Sequence, residues 1–289
     1  MSEQSRRDGA TAFVPGHVTG FFSPYPQDDP ERAGSRGAGL TLSDGVRVTV
    51  RPAEGHDAPR VDLDGEAMSM AAVETVLSAL GVADRARVVA ASDPPIGTGF
   101  GVSGAMALGA ALAANRAFDC ARSTNALVTL AHRAEVVAGT GLGDVVAQAR
   151  GGVPIRLDPG APAHGRLDGV PDRTRVEYLS LGDLSTADVL AGDTDRLAAA
   201  GEDALSRLLD RPTLPTLLDE SRRFAGETGL VTDRLAEILA AVDEVGGRAS
   251  MAMLGETVFA LGTGLTDAGY DASVCRTHDA GAHLVDENR

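Results

Sequence analysis

Residues 95–105 read Pro95-Ile96-Gly97-Thr98-Gly99-Phe100-Gly101-Val102-Ser103-Gly104-Ala105, and an alanine-rich segment follows. Gly97, Gly99, Gly101 and Gly104 stand among small residues, a pattern that lets a backbone approach something closely. Residues 99–104 satisfy GxGxxG, and Asp119 lies about 20 residues on, where a dinucleotide-binding fingerprint wants an acid. The context fails that reading twice. Asp93-Pro94-Pro95-Ile96 separates the strand from the first glycine, and Asp119 follows a helix instead of ending a second strand. A Walker A loop needs a lysine, and this chain contains none. A phosphate-binding loop fits better. Small residues leave the amides around Gly101–Gly104 open to an anion, and the following helix points its N-terminal dipole at the same place. The Ser103 hydroxyl can bond a phosphate or ligate Mg2+. A Gly/Ala surface for close helix packing would produce the same letters.

The rest of the composition narrows the chemistry. The chain has 289 residues, of which 43% are hydrophobic and only 3% aromatic, with no Trp, so its core is built from Ala, Val and Leu. No apolar run reaches the roughly 18–20 residues that span a bilayer, and the N-terminus lacks the apolar stretch of a signal peptide. Cys120 and Cys275 form no metal-ligand spacing, which predicts a cytoplasmic protein with reduced thiols. A net charge of −15 argues against a nucleic-acid partner. All 26 basic residues are Arg, which fits a high-salt cytoplasm, as in a halophilic archaeon, or a GC-rich genome. Without lysine there is no Schiff base and no protein-kinase strand lysine. Any chemistry falls to Asp, Glu, His, Ser, Arg and backbone amides.

Along the chain, residues 1–9 read as an irregular lead and Ala10–Val14 as a strand entering Pro15-Gly16-His17. Gly34–Gly39 reads as a glycine-rich bend, and residues 40–50 as a hairpin turning at Asp44-Gly45. Val61–Leu63 is a further strand, Ser69–Leu80 a helix stopped by Gly81, and Arg87–Ala91 a short buried strand. Helices are expected from about Gly104 to Phe118, from the Ser123 cap to Gly139, and over Val145–Ala149, before a strand at Val153–Leu157. Residues 158–175 form the best domain boundary. Beyond it come a strand at Val176–Leu181, helices at Asp193–Leu209, Thr213–Thr228 and Thr232–Val245, the strand leading into Met251–Leu254 and Gly255–Gly262, and a late strand around Ala272–His278. Strands without steady βαβ alternation give an α+β class.

Several polar residues stand out, each with an ordinary alternative. Glu135 falls in a last helical turn, where the dipole disfavours a carboxylate; taken alone it reads as a solvated partner of a nearby Arg such as Arg133. Asp144 follows a glycine-rich turn and is a base or an N-cap. Arg156 can bind a carboxylate as a fork or pair with Asp158.

The segments Val14-Pro15-Gly16-His17-Val18-Thr19-Gly20-Phe21-Phe22, Gly34–Gly39, Asp93–Ala105 and Gly141-Leu142-Gly143-Asp144-Val145-Val146-Ala147-Gln148 together resemble the GHMP kinases, and within them the archaeal pantoate kinases. The ordered series spans residues 14–156; the C-terminal half resembles them more faintly, at Met251–Ala260. The resemblance implies a two-domain α+β fold: a ribosomal protein S5-like N-terminal domain over 1–160 that binds nucleotide, and a ferredoxin-like domain over 161–289 that completes the cleft. It implies ATP and Mg2+ as cofactors and phosphorylation of (R)-pantoate to 4-phosphopantoate, a step toward coenzyme A. Gly97, Gly99, Gly101, Val102, Ser103, Gly104 and Ala105 would then hold the ATP phosphates, and Ser103 with Glu135 the metal. Asp144 would take the hydroxyl proton, and His17 stands where relatives commonly carry lysine, placed to orient the substrate. Arg156, with Arg36 second and Ser23 as a minor contact, would bind the substrate carboxylate, and Val18, Phe21 and Phe22 would wall its methyl groups. The third motif keeps only one glycine in Met251–Gly255, which leaves the C-terminal nucleotide contacts open. A homodimer is compatible with this scheme. Two other readings stay open: a kinase of another small alcohol, such as mevalonate or homoserine, and a non-catalytic ligand sensor.

Overall fold

A computed structural model describes residues 9–53, 60–182, 194–253 and 255–285. The expected N-terminal lead, apart from Gly9, and the positions Asp193 and Leu254 lie outside the described residues. In chain order the first layer contains β1 (Ala10–Tyr25), β2 (Gly34–Pro52), β3 (Arg60–Leu63), β4 (Glu66–Met68), α1 (Ala71–Ala79), β5 (Ala86–Ser92), α2 (Val102–Ala117), α3 (Thr124–Ala138), α4 (Asp144–Arg150), β6 (Val153–Asp158) and β7 (Arg166–Val170). The second contains β8 (Arg175–Gly182), α5 (Thr194–Asp210), α6 (Leu214–Glu227), α7 (Asp233–Glu244), β9 (Arg248–Met251), β10 (Glu256–Leu261), α8 (Gly264–Asp267) and β11 (Ser273–Arg276), after which β12 (His283–Leu284) follows.

The first sheet runs β12-β1-β2-β5-β3-β4, with β6 attached to β2 and β7 to β6. The second runs β11-β8-β10-β9, antiparallel throughout. Counted along the chain, that is fourth, first, third, second, the winding of a ferredoxin-like sheet. The residue-160 boundary falls inside the β6–β7 pair of the first sheet, and the second sheet starts at Arg175. The last strand returns to pair with β1. Among the described residues no helix is long and apolar enough to cross a membrane.

Two expectations for the N-terminal strands are corrected. β1 does not stop at Val14 but runs to Tyr25, with register shifts at Pro15/His17 and Thr19/Phe21. The bend at Gly34–Gly39 and the hairpin at Asp44-Gly45 are both absent, because β2 passes through them as one strand. The glycines there answer a different need. A Cβ on Gly45 would lie 2.4 Å from the Val14 carbonyl oxygen, and one on Gly37 (φ +138°) 2.2 Å from that of Phe21. They admit the neighbouring strand where it bulges, without reversing the chain. β5 also differs from the buried strand expected: it alternates buried and exposed residues, with Val89 facing out.

Helix ends follow their caps. Ser123, Thr213 and Thr232 each accept a backbone N–H of the first turn, from Ala126, Thr216 and Leu235. α2 is buried nearly all round because alanine lets it sink into the sheet; a Cβ on Gly109 would meet Val48 Cγ2 at 2.5 Å. The two halves are joined beside the glycine loop. Thr257 Oγ1 donates to the Thr98 carbonyl at 2.8 Å, Met253 N to Thr19 O at 3.1 Å, and the Phe100 and Tyr178 rings meet at 4.8 Å.

Candidate active site

Gly101 adopts the left-handed conformation (φ +63°) and serves as the N-cap of α2, with no side chain covering the first turn. Its carbonyl accepts the Gln148 side-chain N–H at 3.0 Å, so α4 holds the loop in shape. Gln148 was missed in the sequence, because nothing local distinguishes a glutamine that reaches back 47 residues. Gly104 realises the packing alternative: a Cβ there would lie 3.2 Å from both Gln148 Oε1 and Val145 Cγ2. A cleft of about 490 Å³ opens over this loop. It is lined by Gly97, Gly99, Gly101 and Ser103, by Ser69–Ala72 at the start of α1, by Thr140, and from the second layer by Met253. Asp144 closes one end.

Inside the cleft the Ser103 hydroxyl donates to Glu135 Oε1 at 2.6 Å. Glu135 is 2% exposed and does not pair with Arg133, which binds Glu31 instead. Burial, helped by the nearby Asp144 charge, pushes its carboxyl to about 7 against the opposing bonds from Ser103 and Thr140. Gly141 sits between the two carboxylates; a Cβ there would lie 2.8 Å from Glu135 Oε2 and 3.5 Å from Asp144 Oδ2. Such a hydroxyl–carboxylate pair, short of positive charge and facing a phosphate-sized loop, fits a hard cation that keeps few protein ligands.

That placement has a measurable consequence for the free chain. The folded-state pKa of Glu135 lies above the ordinary 4.5, so its contribution to stability is full below about pH 4.5 and is lost as pH rises through about 7. The difference amounts to about 3 kcal/mol. Glu135→Gln is therefore expected to flatten the pH dependence of urea unfolding between pH 5 and 8 and to leave the variant the more stable at pH 8. Parallel curves for the two proteins would contradict it.

Next to this pair, His17 Nδ1 and Asp144 Oδ1 lie 2.7 Å apart. Burial drives the His17 imidazole below its ordinary value despite the pull of Asp144, so His17 is neutral and its Nδ1–H donates. For Asp144 burial acts upward, but the His17 hydrogen bond and the charge of Arg156 outweigh it and hold the carboxylate below its ordinary value. The remaining His17 nitrogen, Nε2, is buried without a partner and faces Gly39. His17 is 0% exposed, and in the free chain its ring meets the Asp144 carboxylate.

Arg156 is 2% exposed, and its Nε and Nη1 have no acceptor. It does not pair with Asp158, which bonds Arg166. Its Nε lies beside Gly143, at 2.7 Å from where a Cβ would stand, and the same point is 2.7 Å from Ser35 Oγ. The other residues expected to bind substrate have partners within the chain. Arg36 donates to the Leu157 carbonyl at 2.8 Å and forms an ion pair with Glu202 of α5. Ser23 donates to the Ala198 carbonyl at 3.1 Å. Val18, Phe21 and Phe22 belong to the core.

The glycine loop capping α2, the Ser103–Glu135 pair and the half-buried Asp144 define, with this fold, a GHMP kinase. Residues 67–152 match the family described as the GHMP kinases N terminal domain. The chain is 38% identical over 261 residues to the pantoate kinase of Thermococcus kodakarensis, covering 86% of each, and 34% identical over 256 residues to that of Methanospirillum hungatei, covering 87% of each. A solved structure described as a phosphotransferase related to the CoA biosynthesis pathway superposes with a TM-score of 0.86 at 32% identity, over 96% of this chain and 99% of that one. The chain belongs to the pantoate kinase family and is an ATP-dependent small-molecule kinase.

Proposed function

We propose that the chain transfers the terminal phosphoryl group of ATP to the C4 hydroxyl of (R)-pantoate, giving 4-phosphopantoate and ADP. The observation that carries this reading is Arg156, a buried guanidinium with two unspent donors beside a carboxylate held ionised. A fork of that kind takes a planar carboxylate in bidentate fashion, which selects an acidic hydroxy substrate.

Each step is assigned to the chain's own groups. Amides of the Gly97–Ala105 loop and the N-terminus of α2 cradle the ATP phosphates. Ser103 and Glu135 would hold Mg2+, which when bound neutralises phosphate charge. Arg156 fixes the substrate carboxylate, so that its hydroxyl points at Asp144. Asp144 accepts the hydroxyl proton as the oxygen–phosphorus bond forms and the bond to ADP breaks. His17 holds the carboxylate in orientation through Nδ1–H. Residues 1–160 form the nucleotide-binding part in this scheme, and the remainder completes the cleft through Met253.

ADP release measured with (R)-pantoate, mevalonate and homoserine, at low and high salt, tests the assignment. Turnover is expected with pantoate only. Turnover of another alcohol with none of pantoate would reassign the substrate, and a wild type no faster than Asp144→Ala would make the chain a sensor.

A further inference from the structure

A second cavity, of about 290 Å³, lies between the start of α3, the far end of α4, and β7. It shares no lining residue with the catalytic cleft. The cleft borders residues 138–140 just past the C-terminal end of α3, whereas this cavity borders Thr124 and Asn125 at its N-terminal end, about 20 Å away along a helix of this length. Val128, Val146 and Leu167 form its apolar wall.

Its polar side is cationic. Arg150 lines the cavity, and among the described residues no carboxylate pairs with it; its one hydrogen bond runs from Nη1 to the Gly151 carbonyl at 3.2 Å. Gly169 of β7 gives the guanidinium its seat, since a Cβ there would come within 2.6 Å of Nη1. Arg150 is exposed, so its guanidinium is open to an incoming anion. Thr124 and Asn125, at the positive end of α3, line the same space.

We propose that this cavity is a second binding site, for a small organic anion with a short branched apolar body. The guanidinium and the start of α3 take the anionic head, and the Val128–Val146–Leu167 wall takes the body. The volume sits at the small end of ligand pockets, which limits the occupant to about ten non-hydrogen atoms.

The test uses the full chain with its cleft filled by AMPPNP, titrated calorimetrically with isopentyl phosphate and, separately, isopentanol. One equivalent of the phosphate is expected to bind with a Kd of about 0.1–1 mM. The alcohol is expected not to bind. Arg150→Gln should weaken binding of the phosphate at least about tenfold, with basal turnover unchanged. Thr124→Val, which leaves the Gly169 contact alone, should weaken it about threefold and decides the matter if Arg150→Gln does not fold. Equal affinity in wild type and variants, or no saturable heat at about 10 mM probe, overturns the proposal.

Discussion

Asp144→Asn is expected to lower kcat by about 10³, within the range that loss of a positioned base produces. Asparagine keeps the shape of the side chain, and its amide oxygen can still accept the His17 Nδ1–H now held at 2.7 Å. The loop is held by Gln148 and Ser103 by Glu135, with no bond from either to Asp144 in these contacts, so the KM for ATP is expected to change less than about threefold. Removing a group that acts mainly in the transition state lowers kcat and kcat/KM together. The pH profile separates this role from a structural one. The His17 bond and the charge of Arg156 hold the Asp144 carboxylate below its ordinary 3.8, so the base is ionised throughout pH 5–8 and contributes no acid limb to kcat/KM there. A variant within about fivefold of wild-type kcat would remove Asp144 from the chemistry.

The sequence carried more of this site than of the strands that hold it. The glycine loop was legible because local geometry dictates it: a left-handed N-cap at Gly101 and an uncapped helix start are written in adjacent residues. Asp144 and Arg156 were legible as residue types at chosen positions. His17 came with Asp144 only through the family resemblance, since it lies 127 residues before that carboxylate and no local rule joins them. The misread hairpin has the same cause. Asp44-Gly45 spells a turn to any short-range rule, but the glycine is there for the Val14 carbonyl across the strand pair, and Asp44 accepts a hydrogen bond from Tyr178 of β8 at 2.9 Å. The ion pair of Arg36 was hidden for a related reason: its partner Glu202 belongs to a helix that reaches β2 only through the tertiary fold. Long-range pairing spends the polar groups that look free in a linear reading. Arg156 is the exception, buried with two donors still unspent.

That exception yields the sharpest test of substrate recognition. Arg156→Met is expected to raise the KM for pantoate about 100-fold, as two charge-assisted hydrogen bonds are lost, while the KM for ATP moves less than about threefold. Arg156→Lys should rescue little, because an ammonium on a flexible stem does not reproduce the fork. Stability tells whether the guanidinium is held for binding or for the fold. Two unsatisfied buried donors cost about 1–3 kcal/mol each in the free chain. The attraction of Arg156 to Asp144 offsets part of that, being about 4 kcal/mol or less between charges at contact in a partly polar interior. The terms nearly cancel, so the Tm of the free Met variant is expected to stay within about 5 °C of wild type. A residue kept for the fold would behave otherwise: breaking a buried ion pair costs about 3–5 kcal/mol, with substrate affinity spared in the molecules that remain folded. A large loss of Tm with an unchanged pantoate KM, or equal increases in both KM values, would move the carboxylate site away from Arg156. An unaltered Tm with pantoate binding alone destroyed would show that the fold tolerates an unsatisfied cation for the sake of the anion it receives.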